Sequence, residues 1–428
     1  TGCPKRNALR APLKHPLRPV RGSEIRIEDK TLDLSLSPEY EAFRDQVAGL
    51  LQDNQQKAPT QADRGIKNQR RQDWHKWLIE NGLAARTIPK EYGGYGAAPD
   101  ILKSRIIAEE FARTGLPKGI ANQGVSMLVP TLLELGTEEQ KQAYIRPTLH
   151  GEMIWCQGYS EPGAGSDLAS LTTKGEIDGD DYVINGQKIW TSTAKQADMI
   201  FCLVRTEPDA KKHHGISYLI FSMDTPGIEV RPLVDMTMNA NFNEVFFTDV
   251  RVPRDQIVGA PGKGWQVANA TLTHERGMLG DPNAAKTRLL AIADLMQKET
   301  INGERLIDNP VFRDRLVALQ ARVYAMQANG LRVMSNRIKG DSAGMAGLII
   351  KLQGCELNHE LARLAIDAMG EFGLLYGDTP YLRDFGEWQA KYMYDLGLII
   401  GGGTAQIQKN IISERGLGMP REPRPAAA

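Results

Sequence analysis

The chain has 428 residues, more than one hydrophobic core usually supports, so two or three packed domains are expected. Its 52 basic residues equal its 52 acidic residues, which leaves no overall field to attract nucleic acid or an anionic membrane surface. No apolar run reaches the ~18 to 20 residues that span a bilayer. The four cysteines are too scattered for a disulfide framework, which indicates reduced thiols in an intracellular protein.

The N-terminal third is predicted to be helical. Residues 1–30 are set aside, because residues 1–22 are basic without one acidic residue, as in a targeting segment, while a tag or a processed start fits equally well. Mixed apolar and polar periodicity over residues 40–53, 74–82 and 101–113 is typical of amphipathic helices. We therefore predict an N-terminal helical domain over residues 31–155.

The middle third changes to a strand pattern. Short segments rich in β-branched and aromatic residues lie at residues 181–190, 199–205, 216–221, 227–231 and 243–247, separated by turn signals. We predict a β-domain over residues 156–264.

The helical period returns in the last third, at residues 265–274, 284–298, 311–335 and 345–369, with long helices and short loops. This predicts a helical bundle over residues 265–420, followed by a Pro- and Ala-rich tail at 421–428.

A glycine-rich run joins the first two domains. This signature segment, residues 155–167, contains Gly158, Gly163 and Gly165, which allow the backbone to approach a ligand closely, and Ser160 and Ser166, which supply hydroxyl groups. A run of this kind is more often only a turn, so its context decides its meaning.

The context resembles the acyl-CoA dehydrogenase family in ordered motifs from residue 37 to 422. Besides the signature segment, the matching motifs are residues 89–94, 135–141, 185–190, 242–253 and 403–408. The resemblance implies an α+β fold with an N-terminal helical domain, a middle β-barrel-like domain and a C-terminal four-helix bundle. It also implies bound FAD, an acyl-CoA substrate, an electron-transferring flavoprotein as acceptor, and a homotetramer or an α2β2 heterotetramer. A bacterial member would be cytoplasmic and a eukaryotic one would lie in the mitochondrial matrix.

The resemblance assigns the flavin contacts residue by residue. Ser160 corresponds to the hydroxyl that bonds the pyrimidine edge, with Tyr159 and its backbone lining the same ring. Trp190 falls where the family places a tryptophan against the isoalloxazine, and Ser192 falls near flavin N5. Without that context, a tryptophan at a strand end is more often a core residue.

Further contacts are implied at the ends of the cofactor and the substrate. Thr404 and Gln406 match positions that contact FAD in a subunit pair, and Arg313 is the candidate for the partner's FAD diphosphate, with Arg315 as its alternative. The adenine contacts stay open, because residues 367–373 depart from the family's Gln-Gly-Gly-Asn-Gly form. Ser166, Arg276 and Gly402 are expected on the substrate side.

The catalytic base is predicted to be Glu275. Many family members carry a glutamate just before the Gly-Thr of the C-terminal motif, but this position is Gly402 here. Other members carry it in a Leu-x-x-Glu-Arg pattern on the first helix after the β-domain, which matches Leu272 to Arg276. Such a Glu-Arg pair is otherwise usually a solvated surface pair. His274 is the rival base.

The chemistry explains the need for a carboxylate. The α-proton of a thioester is weakly acidic, so desolvation must raise the pKa of the base and hydrogen bonds must stabilise the developing enolate. The expected reaction gives a trans-2-enoyl-CoA.

Two alternatives remain. The chain could be an active or structural subunit of a heteromeric dehydrogenase, or an acyl-CoA oxidase on the same fold. The pair His213 and His214 lacks the neighbouring ligands of a metal site. The C-terminal motifs resemble those of enzymes acting on bulky, branched, dicarboxylic or sterol side-chain thioesters.

Overall fold

The computed structural model describes residues 36–421, apart from positions 64, 279 and 342–343. The predicted segment 1–30 and residues 422–428 of the predicted tail lie outside this range. Among the described residues, no helix has both the length and the apolar character needed to cross a membrane.

The N-terminal domain is helical, as predicted. Its helices are α1 (Pro38–Asp53), α2 (Gln69–Glu80), α3 (Ile101–Thr114), α4 (Val129–Leu135) and α5 (Glu138–Leu149). Helix α2 begins earlier than residue 74 because the Asn68 side chain caps it by accepting from the Arg71 amide. The first turn of α2 is polar, so a search for apolar periodicity does not detect where the helix begins.

The middle domain is a curved mixed sheet. Its strands are β1 (Trp155–Gly158), β2 (Lys174–Asp178), β3 (Asp181–Lys188), β4 (Met199–Arg205), β5 (Ile216–Ser222), β6 (Ile228–Leu233) and β7 (Phe242–Pro253). They are ordered β1-β4-β2-β3-β7-β6, with β5 on β4. The pairing of β1 with β4 is parallel, whereas β3, β6 and β7 pair antiparallel.

The predicted strands need three corrections. Strand β3 ends at Lys188 rather than at residue 190, because Trp190 has a left-handed φ of +59° that breaks the extended backbone. Strand β7 is longer than residues 243–247 because it pairs with both β3 and β6. Strands β1 and β2 were not predicted, since glycine and charged residues mask their alternation.

The C-terminal domain is a four-helix bundle reached through a connecting helix. Helix α6 (Gly264–Met278) leaves the sheet, and the bundle consists of α7 (Pro282–Lys298), α8 (Pro310–Ile338), α9 (Gly344–Ala368) and α10 (Glu387–Ile400). A hairpin of β8 (Thr300–Ile301) and β9 (Glu304–Arg305) joins α7 to α8, and α11 (Ala405–Ile411) follows α10. Buried Ile292, Val323 and Leu361 contribute to the bundle core. The prediction of short loops is wrong for residues 369–386, which cross between α9 and α10 through 3-10 turns. The predicted three-part α+β architecture is confirmed.

The turn that follows helix α6 meets helix α9 through two glycines, Gly280 and Gly354. A Cβ atom added to Gly354 would lie 2.6 Å from the Gly280 Cα, and one added to Gly280 would lie 2.5 Å from the Ile350 carbonyl oxygen. Gly280 also has a φ of +77°, where side-chain-bearing residues are strained. This backbone contact fixes the end of α6 against the bundle.

We expect Gly354→Ala to lower the free energy of unfolding by about 1 to 3 kcal/mol, because the methyl group overpacks this contact. The matched control is Gly330→Ala on α8, whose Cβ would meet only the Pro282 Cγ at 3.5 Å. That change should raise stability by about 0.5 to 1 kcal/mol through helix propensity. Urea unfolding followed by circular dichroism measures both, and equal effects of the two changes would contradict the contact.

Candidate functional site

One cleft of about 520 Å³ lies where the three domains meet. The N-terminal domain contributes residues 65–66, 71, 120–123 and 127, the β-domain contributes Ser192 and Thr193, and the C-terminal domain contributes Glu275 and Tyr394. Two of the residues predicted to act together, Glu275 and Ser192, therefore share one cavity. A mostly apolar cleft with a few converging polar groups is the usual form of a small-molecule site.

Helix α6 directs Glu275 toward this cleft. Thr271, one turn earlier on the same face, is fully buried and its hydroxyl lies 3.0 Å from that of Thr131. The Thr271 hydroxyl also donates to the Tyr218 hydroxyl at 3.5 Å. Glu275 thus extends from a helix face that is packed against both neighbouring domains, which argues against the surface-pair interpretation.

A buried ion pair holds the signature segment. Lys188 Nζ donates to Glu161 Oε1 at 2.8 Å, and both side chains are almost fully buried. The amides of Thr172 and Thr173 also donate to the carboxylate, at 2.7 and 2.9 Å. Burial alone would raise the pKa of Glu161, but the Lys188 ammonium and these hydrogen bonds outweigh it and lower the pKa to about 2.

The ion pair sets the backbone that carries the predicted flavin contacts. Lys188 also donates to the Tyr159 carbonyl oxygen at 3.2 Å, and the Ile189 amide donates to the Ser160 carbonyl oxygen at 2.9 Å. Ser160 is thereby fixed beside the segment that leads from β3 to Trp190 and Ser192.

Trp190 is held in an exposed, strained position. Its φ is +59°, uncommon for a bulky residue, and 59% of its surface is exposed. Its indole packs edge-on against Phe242, with ring centroids 6.1 Å apart, and Phe242 stacks on the cleft residue Tyr394 at 6.5 Å. Trp190 is not among the residues that line the cleft, but it lies two positions before the cleft residue Ser192, and an exposed flat ring is able to pack against a planar ligand.

These residues fit a flavin ring. The hydroxyl of Thr191 and the side-chain oxygen of Asn243 are buried beside Trp190 and lack hydrogen-bond partners among the described residues. Gly163 and Gly165 have no atom within 4 Å of an added Cβ, so their backbone is open to a ligand. The β-domain side therefore combines a flat aromatic ring, unpaired hydrogen-bonding atoms and a stretch of backbone that a ligand can approach closely.

The structure places two residues of the signature segment in the core. The Tyr159 ring does not line the cleft, because it is 4% exposed and packs edge-on against Phe201 and Tyr218 in the core. Burial, Tyr218 and the charge of Glu275 raise its pKa well above the ordinary value. Gly158 serves strand packing, since an added Cβ would lie 2.8 Å from Ile200 Cδ1.

Comparison with known proteins decides the family. Models of the acyl-CoA dehydrogenase N-terminal, middle and C-terminal domains match residues 37–152, 156–250 and 262–417. The acyl-CoA dehydrogenase IpdE1 of Mycobacterium tuberculosis is 38% identical over 90% of this chain and 99% of its own. This chain belongs to the acyl-CoA dehydrogenase family. The resemblance carried by the sequence motifs is confirmed.

Solved structures of the family give the same result. The ChsE4-ChsE5 complex from Mycobacterium tuberculosis aligns with a TM-score of 0.76 and 31% identity, covering 91% of this chain and 100% of that one. A structure named Tcur3481-Tcur3483 steroid ACAD aligns with a TM-score of 0.76 and 29% identity over the same shares. Acyl-CoA dehydrogenases are flavoproteins and oxidoreductases that act on CH–CH groups.

The family's C-terminal motif forms a tightly held glycine loop. Gly402 and Gly403 have φ values of +64° and +96°, so a glutamate at position 402 would be strained. Thr404 caps α11 by accepting from the Ile407 amide. Gly402 and Thr404 are not among the residues lining the cleft, and neither is Gln406, which is exposed.

The other predicted residues lie farther from the cleft lining. Arg313 is exposed near the start of α8, whereas Arg315 pairs with Asp367 at 2.6 Å. Ser166 is exposed in the signature segment. His213 packs edge-on against Trp265 with ring centroids 5.0 Å apart. The Arg276 side chain lies outside the described part of the chain, and His274 is not a cleft-lining residue.

Sequence reasoning missed Lys351 on α9. This lysine is 3% exposed and donates to the carbonyl oxygens of Ile399 and Gly403 at 3.1 and 2.6 Å. Burial lowers its pKa, while the charges of Cys355, Glu275 and Glu356 act in the opposite direction. A lone lysine within the apolar run of residues 347–352 was the available signal. Tyr394 and the N-terminal cleft residues carry no such signal, because only the tertiary fold brings them to the site.

The buried ion pair generates a stability prediction. Glu161→Gln should lower the free energy of unfolding by about 3 to 5 kcal/mol, because it leaves the Lys188 charge buried without a counter-charge. The double variant Glu161→Gln/Lys188→Met should recover part of this loss. Urea unfolding at neutral pH measures the wild type, both single variants Glu161→Gln and Lys188→Met, and the double variant, and additive losses of the two single changes would contradict the coupling.

The same pair has a defined pH dependence. Because the pKa of Glu161 falls from 4.5 to about 2 on folding, its contribution is complete above about pH 4.5 and is lost as the pH falls through 2. The double variant should therefore lose less stability than the wild type across this window.

Proposed function

We propose that this chain converts an acyl-CoA thioester to the trans-2-enoyl-CoA, with Glu275 as the base that removes the α-proton. The observation that carries the proposal is the shared cleft of Glu275 and Ser192. Glu275 comes from the bundle side and Ser192 from the strained segment after β3. A substrate between these two walls would present one face to the base and the other to the cofactor.

The β-domain wall is proposed to hold FAD. Ser160 would bond the pyrimidine edge, Trp190 would pack against the isoalloxazine, and Ser192 would lie near N5. FAD, when bound, supplies the acceptor for the hydride that leaves Cβ, and an electron-transferring flavoprotein is the proposed reoxidant.

Glu275 performs the proton step. Its carboxylate takes the α-proton and becomes neutral, while the electron pair of the Cα–H bond forms the new double bond and the β-hydrogen leaves with its electrons. The buried, uncharged side chains of Tyr159 and Thr271 lie on the side of α6 that carries Glu275, and apolar surroundings of this kind favour the proton-accepting role of a carboxylate.

We expect Glu275→Gln to retain FAD and CoA-ester binding while slowing flavin bleaching by an oxidisable thioester about 10²- to 10⁴-fold, which is the usual contribution of general-base catalysis. Stopped-flow absorbance under anaerobic conditions measures the rate. The adjacent His274→Gln is the matched control and should bleach at a near wild-type rate. A fast Glu275→Gln together with a slow His274→Gln would transfer the base to the histidine.

The substrate is proposed to be a bulky acyl-CoA of the steroid-derived kind. A structure named steroid ACAD is among the similar folds, and the cleft is a wide junction of three domains rather than a channel between two helices. This proposal includes a mixed assembly, because the ChsE4-ChsE5 structure is named as a complex of two chains.

The assembly has its own test. Helix α8 exposes Val317, Tyr324 and Leu331 at seven-residue intervals, an apolar stripe that a second chain would cover. Expressed alone, the chain should bind less than one FAD per subunit. Co-expression with a second acyl-CoA dehydrogenase subunit from the same organism should give one bound FAD for each pair of unlike subunits. Native mass spectrometry measures this ratio. A flavin-saturated homotetramer from this chain alone would refute the mixed assembly.

A further inference from the structure

The polar part of the cleft surface supplied by the N-terminal domain, called the N-terminal wall below, consists of Arg71, Asn122 and Gln123. It is a rigid surface, because two buried side chains of α2 hold the segment that carries it. Trp74 Nε1 donates to the Pro117 carbonyl oxygen at 2.8 Å, and His75 Nδ1 accepts from the Ile120 amide at 3.1 Å. The polar groups of the wall are therefore fixed before any ligand binds.

Two amide side chains of this wall have buried atoms without partners. Asn122 Oδ1 accepts from the Val125 amide at 2.9 Å, which fixes its orientation and leaves Nδ2 as a donor with no partner among the described residues. Within the same described part of the chain, Gln123 Oε1 is a buried acceptor with no partner. Buried polar atoms in folded proteins are nearly always paired, so an unpaired donor and an unpaired acceptor on two residues that line one cavity favour a polar ligand at this wall.

Arg71 adds a cation to the same wall. Its amide is held by the Asn68 side chain, while no carboxylate of the described residues lies within 4 Å of its guanidinium. The neighbouring Arg70, by contrast, pairs with Asp63 at 3.7 Å. The guanidinium of Arg71 is thus available to a ligand oxygen.

The other cleft-lining side chains restrict what this ligand is. Ile66, Ile120, Met127 and Tyr394 are largely apolar, so they suit a hydrocarbon body. A plain alkyl group against the N-terminal wall would leave the amides of Asn122 and Gln123 unpaired, which disfavours binding. Since the proposed flavin contacts lie on the β-domain side, the N-terminal wall is left to face the acyl group.

We propose that the N-terminal wall recognises an oxygen substituent on the acyl group, remote from the thioester. The substrate class is an acyl-CoA with a carbocyclic body that carries a hydroxyl, keto or carboxylate oxygen. Asn122 and Arg71 donate hydrogen bonds to this oxygen, and Gln123 accepts from a hydroxyl when one is present. This inference rests on the proposed function, because it assumes that the cleft holds an acyl-CoA.

The test compares cyclohexylpropanoyl-CoA with its ring-hydroxyl, ring-keto and ring-carboxylate derivatives. Binding is measured by isothermal titration calorimetry to the FAD-loaded Glu275→Gln protein, so that no turnover occurs. At least one oxygenated ester should bind about tenfold more tightly than the plain ester. The derivative with the largest gain identifies the substituent.

Variants of the wall, made in the same Glu275→Gln background, assign the gain to its residues. Gln123→Leu should remove the preference for the hydroxyl ester and leave the plain ester bound equally or more tightly. Arg71→Gln should weaken the carboxylate ester about tenfold. The matched controls are Gln142→Leu, on the outer surface of α5, and Arg105→Gln, which pairs with Glu109 on α3; both should keep the preferences.

The results separate failure of this inference from failure of the proposed function. Equal or tighter binding of the plain ester would overturn the inference, even where thioesters still bleach the flavin of the protein with Glu275 intact. Loss of FAD from Gln123→Leu would also overturn it, because the wall would then contact the cofactor. If every ester binds and none bleaches the flavin, the proposed reaction fails, while the measured preference stands on its own.

Discussion

The site depends on the buried ion pair between Glu161 and Lys188. Removing two charges from water is costly, and the cost is offset only when every oxygen and proton is satisfied. Here the carboxylate also receives two backbone amides, and the ammonium also donates to a backbone carbonyl. The pair joins the signature segment, the entry to β2 and the end of β3, so Ser160 and Trp190 are carried on one rigid piece of backbone.

A second constraint brings the proposed base to that piece. Helix α6 leaves the sheet, and the turn that follows it packs Gly280 against Gly354 of α9, which fixes the end of the helix that carries Glu275. One turn before Gly354, Lys351 fastens the glycine loop through the carbonyls of Ile399 and Gly403. The helix that carries a carboxylate and the loop that lacks one are therefore anchored to the same segment of α9.

Periodicity and composition predicted the helix, sheet, helix order, because long amphipathic helices and buried β-branched strands leave strong local patterns. They could not predict the cleft, whose lining comes from residues as far apart as Ile66 and Tyr394. Tyr159 shows how far a motif alone can locate a side chain. Its position beside Ser160 suggested a flavin contact, whereas the alternation that continues from strand β1 directs its ring into the core. Strands β1 and β2 escaped prediction because glycine and charge replace apolar residues there.

The position of the base follows from these anchors. At Gly402 the backbone is left-handed. Gln408 Nε2 donates to the Gly402 carbonyl oxygen at 3.1 Å, so this hydrogen bond holds the loop although residue 402 has no side chain. A glutamate at position 402 would have to adopt a left-handed backbone conformation, which is strained for a residue with a side chain. Glu275 on α6 has an ordinary helical backbone and carries no such strain. Because α6 also packs on Thr131 of the N-terminal domain through Thr271, a helix-borne base is coupled to the domain that supplies the N-terminal wall. The residue that would perform the chemistry is thus held, through Thr271 and Thr131, against the domain whose residues would select the acyl group.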